Sequence, residues 1–61
     1  MKIERADANV YRVVEGDTVK ALAMKLVDGK WGAFDTSGDK ALTKRRFNRP
    51  AEVRDWLAGA I

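Results

Sequence analysis

Apolar and polar residues alternate in segments of roughly ten residues, and pairs of glycine and aspartate separate these segments. The pairs are Gly16-Asp17, Asp28-Gly29 and Gly38-Asp39. Glycine, and to a lesser degree aspartate, tolerates the positive φ that tight hairpin turns demand. The spacing therefore predicts an antiparallel meander, in which each strand runs through a turn into the next one.

Three of these segments have the composition of β-strands. Val10–Glu15 is rich in β-branched and aromatic residues and is the first predicted strand. Residues 30–36 form another, in which Gly32 indicates a bulge or a close approach to the backbone. Residues 41–47 are a candidate fourth strand at the sheet edge, where lysine and arginine side chains discourage unwanted pairing.

Residues 18–27 fit either a strand or a helix. As a strand, they place three large apolar side chains on one face, namely Leu22, Met24 and Leu26. As a helix, they place four apolar side chains on one stripe, namely Val19, Leu22, Ala23 and Leu26. Their composition favours the helix. The clear strand before them and the short connection favour a hairpin, so we expect a strand, with the helix as the alternative.

The last segment has the pattern of an amphipathic helix. It opens at Pro50, with Asn48 as the candidate N-cap. Its apolar residues recur at helical spacing, namely Val53, Trp56, Leu57 and Ala60. We expect this stripe to cover the sheet face that carries Leu22, Met24 and Leu26 with one of Trp31 or Phe34. The predicted fold is α+β, a three- or four-stranded antiparallel meander with one C-terminal helix packed on one face.

The composition of the 61 residues argues against an enzyme. We expect one small domain over residues 1–61. The chain has neither cysteine nor histidine, so it lacks disulfides, thiolate zinc ligands and the commonest acid–base catalyst. Its turn aspartates serve local backbone bonding. We therefore predict a non-enzyme with no cofactor, no metal and no membrane contact, and the lack of cysteine fits a cytoplasmic protein.

The net charge of +3 lies entirely in the last third of the chain. Residues 1–38 carry six basic and six acidic side chains, whereas residues 39–61 carry six and three. A local basic field attracts phosphates. The leading hypothesis is therefore a binding module that contacts nucleic-acid backbone, with Trp31 or Phe34 as an exposed aromatic beside the basic residues. The candidate contacts are Lys44, Arg45, Arg46, Arg49, Arg54 and Trp31.

Two alternatives stay open. The basic cluster is also typical of a solvated edge that only prevents aggregation. The other function is a small protein–protein interaction or inhibitor protein of phage or mobile-element type, which binds one host protein through an exposed sheet face or edge. A homodimer through paired edge strands is a further expectation. Basic residues that converge on one concave face would favour nucleic acid, and scattered ones would favour a protein partner.

Two families share short patterns with this chain. From Tyr11 to Leu57 the order of strands, Trp31-Gly32, a turn glycine, Phe47 and a helix at Pro50 is similar to the WGR domain. That resemblance, and the shared order of AP2-like and integrase arm-binding folds, implies DNA contact through the sheet, although Ala33 replaces the family's arginine. The stretch from Tyr11 to Val19 resembles the opening of a LysM domain, which implies a helix after Gly-Asp-Thr and glycan binding.

Overall fold

The computed structural model describes residues 1–59 and has the predicted α+β architecture. Four antiparallel strands form one sheet in the order of the chain, and a single helix packs across one face. The elements are β1 (Lys2–Asp7), β2 (Val10–Glu15), β3 (Thr18–Lys25), β4 (Trp31–Phe34) and α1 (Pro50–Gly59). None of the described residues belongs to a helix long and apolar enough to cross a membrane.

The three glycines of the Gly/Asp pairs all have the positive φ that the pattern predicts. Their φ angles are 62° at Gly16, 86° at Gly29 and 80° at Gly38. At positive φ the Cβ of any other residue strains the backbone, so glycine is favoured at each position. The first two glycines connect β2 to β3 and β3 to β4, and the third lies in the loop that follows β4.

Within the segment of residues 18–27, the chain forms a strand. Strand β3 spans Thr18–Lys25 and pairs with both β2 and β4, so the helical alternative is wrong. The helix that the LysM pattern implies after Gly-Asp-Thr is therefore absent from this segment. The pairing of β2 with β3 has one irregularity, between Val13 and Val14. Pairing on both sides outweighs the helical propensity of this segment.

The sequence pattern does not predict β1, and its fourth predicted strand does not form. Strand β1 is an edge strand whose charged side chains face solvent, which hides its alternation. Residues 41–47, here named the edge segment, touch β4 at two isolated bridges, Phe34 with Ala41 and Trp31 with Phe47. Between these bridges the segment leaves the ladder, because its run of charged residues stays in solvent.

Helix α1 covers the sheet face opposite to the predicted one. Its one fully buried residue, Val53, packs in a cluster with Val13, Ala21, Ala23, Trp31, Ala33 and Phe47. The three alanines leave room for the helix to approach the sheet, with the larger side chains of Trp56 and Leu57 packed beside them. The predicted face, with Leu22, Met24 and Leu26, points away because strand residues alternate.

The helix begins at Pro50 as predicted, but Asn48 is not its N-cap. The side-chain oxygen of Asn48 accepts a hydrogen bond from Lys30 Nζ. Its backbone N–H donates to Glu52 Oε1 at 3.1 Å, so the carboxylate in the first turn fixes the chain that enters the helix. Val53, Trp56 and Leu57 face the core as expected, and Ala60 lies outside the described residues.

Candidate functional site

The sheet face away from the helix carries a second apolar layer. Leu22 pairs with Phe34, and Met24 pairs with Gly32, so these residues share one face with Leu26. Leu22, Met24, Leu26 and Phe34 are half-buried. The loop after β4 covers part of this layer, since Gly38 lies where an added Cβ would stand 3.6 Å from Leu22 and 3.7 Å from Met24.

Asp35 holds that loop together. Its Oδ1 accepts hydrogen bonds from Ser37 Oγ at 2.8 Å and from the backbone N–H groups of Gly38 at 2.9 Å and Asp39 at 3.2 Å. The bond from Ser37 is the main cause that holds the pKa of Asp35 below its ordinary value of 3.8. Desolvation opposes this lowering, and the backbone N–H groups of Lys40, Asp39 and Gly38 add to it. The carboxylate therefore serves the loop backbone. Within residues 1–59, no group of three or more acidic side chains is placed to bind a metal ion.

A depression of about 380 Å³ lies between β4, the end of β3 and the edge segment. The apolar part of its lining, here named the floor, consists of Leu26, Gly32, Phe34 and Ala41. Its other side carries Thr43 and three cationic residues, here named the basic rim: Lys44, Arg45 and Arg46. None of the described residues that line this edge depression is acidic, so the local field favours an anion.

Gly32 determines where the ring of Phe34 lies. A Cβ on residue 32 would stand 2.8 Å from Phe34 Cε1 and 3.4 Å from Leu26 Cδ2. The pairing of β3 with β4 has no irregularity, so Gly32 serves a close approach and not a bulge. The missing side chain lets the aromatic ring lean onto the strand, where it forms part of the floor.

The three residues of the basic rim differ in how they are held. Arg46 Nη1 lies 3.0 Å from Asp28 Oδ2, in a pair whose side chains are 64% and 38% exposed. The guanidinium of Arg45 stands 5.3 Å from the centre of the Phe47 ring, within the range of a cation–π contact. Lys44 is exposed and has no ion-pair partner in the described part of the chain. Because the pair of Arg46 with Asp28 is exposed, another anion can readily replace the Asp28 carboxylate.

The other predicted site residues lie elsewhere. Arg49 and Arg54 face acidic neighbours, with Arg49 Nε 4.0 Å from Glu52 and Arg54 Nη2 3.1 Å from Asp55. A second depression, beside the helix, contains Arg45 but also both of those carboxylates, so it suits an anion less well. Arg49 and Arg54 do not line the edge depression, so they are not part of the basic rim.

The prediction that Trp31 is an exposed contact is wrong. The residue is buried, with 8% of its surface exposed, and its ring packs edge-on to Tyr11 with the ring centres 5.4 Å apart. Trp31 and Phe34 lie on opposite faces as their alternation predicts, and Phe34 is the aromatic beside the basic residues. The sequence analysis does not predict that other apolar residues join Phe34 in the floor. A signal for this was present, because a glycine two residues before an aromatic residue on a strand leaves space for the ring.

No protein-family model, no curated protein and no solved structure matches this chain. The resemblance to the WGR domain therefore stays a prediction.

Proposed function

We propose that this chain is a non-enzymatic binding module that contacts nucleic acid through the basic rim. The observation that carries the proposal is the convergence of Lys44, Arg45 and Arg46 on one concave surface with an apolar floor. Cationic side chains that share one concavity can bind successive phosphates, whereas scattered ones cannot. Three contacts support modest binding with little sequence preference.

A protein partner is the second candidate, and the outer edge of β1 favours it. Strand β1 pairs only with β2 within residues 1–59, so its other edge is open to strand addition. That edge also carries Lys2, Glu4, Arg5 and Asp7, and such charged edges resist pairing with another chain. The basic rim is therefore the better supported surface.

The test of nucleic-acid binding is affinity against salt concentration. Fluorescence anisotropy of a labelled oligonucleotide, repeated over a salt series, gives the slope of log affinity against log salt. Three phosphate contacts predict a slope of about −2 for a single strand and about −3 for a duplex. A flat response, or no binding at low salt, would refute the proposal.

The contribution of the basic rim is tested by charge reversal. We expect the double variant Arg45→Glu/Arg46→Glu to weaken binding and to reduce the magnitude of the slope by about 1.4 for a single strand and about 1.8 for a duplex. The matched control is Arg5→Glu/Lys20→Glu, which makes the same change in net charge at two exposed positions away from the edge depression. Equal weakening by both variants would assign the binding to net charge and not to this surface.

A further inference from the structure

The edge depression joins an aromatic ring to cationic side chains within one small concavity. Phe34 lies in the floor, and the basic rim lies along one side of the same depression. An aromatic surface with cations beside it is the combination that binds unpaired bases, because the ring stacks on a base while the cations hold its phosphates. A duplex can use the cations alone, since its bases stack on one another.

The volume of the depression also suits a single base. Its volume of about 380 Å³ is near the lower end of the range for small-molecule sites, about 300–1,000 Å³. Gly32 lets the edge of the Phe34 ring lie against the strand. Leu26 also lies close to Gly32, with its Cδ2 3.4 Å from the place of the missing Cβ, so both apolar side chains meet at this residue.

The rim positions its charges around this floor. Arg45 stands over the Phe47 ring, and Arg46 pairs with Asp28 in an exposed contact that a ligand phosphate can replace. Lys44 adds an exposed ammonium group, and no acidic side chain among the described residues lines the depression. The surface is therefore complementary to a polyanion that can also present a flat apolar group.

We propose that the edge depression binds an unpaired base of a single-stranded nucleic acid, stacked on Phe34, with the flanking phosphates on the basic rim. This inference rests on the proposed function and deepens it, because it assigns the class of nucleic acid. The chain consequently prefers single strands to a duplex of the same sequence.

The experiment compares three labelled probes at one low salt concentration: a single-stranded oligonucleotide, its duplex, and an abasic strand of equal length. We expect the single strand to bind about tenfold or more tightly than the other two, because only it offers bases for stacking. Phe34→Leu keeps an apolar residue but removes the π-face, so it should reduce binding of the single strand about tenfold and leave duplex binding unchanged.

Two further variants separate stacking from folding. Phe34→Tyr keeps the ring and should bind the single strand as the unmodified chain does. Leu42→Ala changes an exposed apolar residue of the edge segment and should have no effect. Circular dichroism of each variant checks that the fold is intact.

The outcomes distinguish this inference from the proposed function. If the duplex binds as tightly as the single strand, or if Phe34→Leu has no effect, the stacking site is refuted while phosphate binding stands. If no probe binds at low salt, both proposals fail, and a protein partner becomes the occupant to seek.

Discussion

Gly32 and Asp35 show how single residues shape the surface beside β4. Gly32 has no side chain, and the ring of Phe34 occupies the space that a Cβ would take. Asp35 collects hydrogen bonds from one hydroxyl and from several backbone N–H groups, which closes the loop over Leu22. Both effects are local, yet together they decide which part of the apolar layer stays open.

The loop should lose stability when Asp35 can no longer carry a charge. We expect Asp35→Asn to lower the midpoint of thermal unfolding at neutral pH, because the carboxylate accepts stronger hydrogen bonds than an amide. The measurement is circular dichroism during heating. Asp39→Asn, in the same loop, is the matched control, since the Asp39 side chain makes no hydrogen bond or ion pair in the described structure, and it should change the midpoint little.

The pH dependence of this difference follows from the lowered pKa of Asp35. A carboxylate whose pKa falls on folding stabilises the native state above its unfolded value, here 3.8, and loses that effect as the pH drops through the lower folded pKa. The gap between the original chain and Asp35→Asn should therefore be full at neutral pH and close in acid. A gap that persists in strong acid would contradict the assigned role of the charge.

At the scale of elements, the size of side chains decides which sheet face the helix covers. The face with Ala21, Ala23 and Ala33 accepts α1, and the face with Leu22 and Met24 does not. Small residues let the helix axis approach closely enough for Val53 to be fully buried. The edge segment then closes the β4 side with Phe47, whose ring lies 6.0 Å from that of Trp56.

The burial of Val53 should therefore make the largest contribution to the stability of the packing between the helix and the sheet. We expect Val53→Ala to reduce the free energy of unfolding by about 2 kcal/mol, from lost apolar burial and the cavity left behind. The same substitution at Val27, a fully exposed turn residue, should change it by less than about 0.5 kcal/mol. Chemical denaturation of both variants measures the difference, and similar effects at the two sites would contradict this packing.

The sequence predicts those features whose cause is local. A turn glycine needs positive φ wherever the chain folds, so Gly16, Gly29 and Gly38 are visible in the sequence. The helix from Pro50 is visible for the same reason, because its stripe lies within one element. Alternation along β3 marks two faces but does not by itself tell which one the helix covers.

Features that depend on distant neighbours are not visible in this way. Strand β1 is charged because it forms an edge, and the edge segment breaks from the ladder because its charges stay in solvent. The run of basic residues is visible in the sequence because its members are adjacent, whereas the depression that they line is not. Phe34 joins these basic residues only through the pairing of β4. Arg49 and Arg54 are not part of the basic rim because they do not line the edge depression.

For the whole molecule, the position of the excess charge matters more than its size. Residues 1–38 are neutral in sum, so the net +3 arises in the part of the chain that contains the edge segment and the helix. The fold places three of those cations around the apolar floor beside β4. A homodimer and a cytoplasmic location stay predictions from the sequence.

The most direct measurement is a titration of the ¹⁵N-labelled chain with a single-stranded oligonucleotide at low salt, followed by amide chemical shifts. We expect the largest changes at Gly32, Phe34 and residues 43–46, with the amides of β1 and Gly16 unchanged. Changes centred on β1 or on the helix, or no changes at all, would contradict the assignment of this surface to nucleic acid.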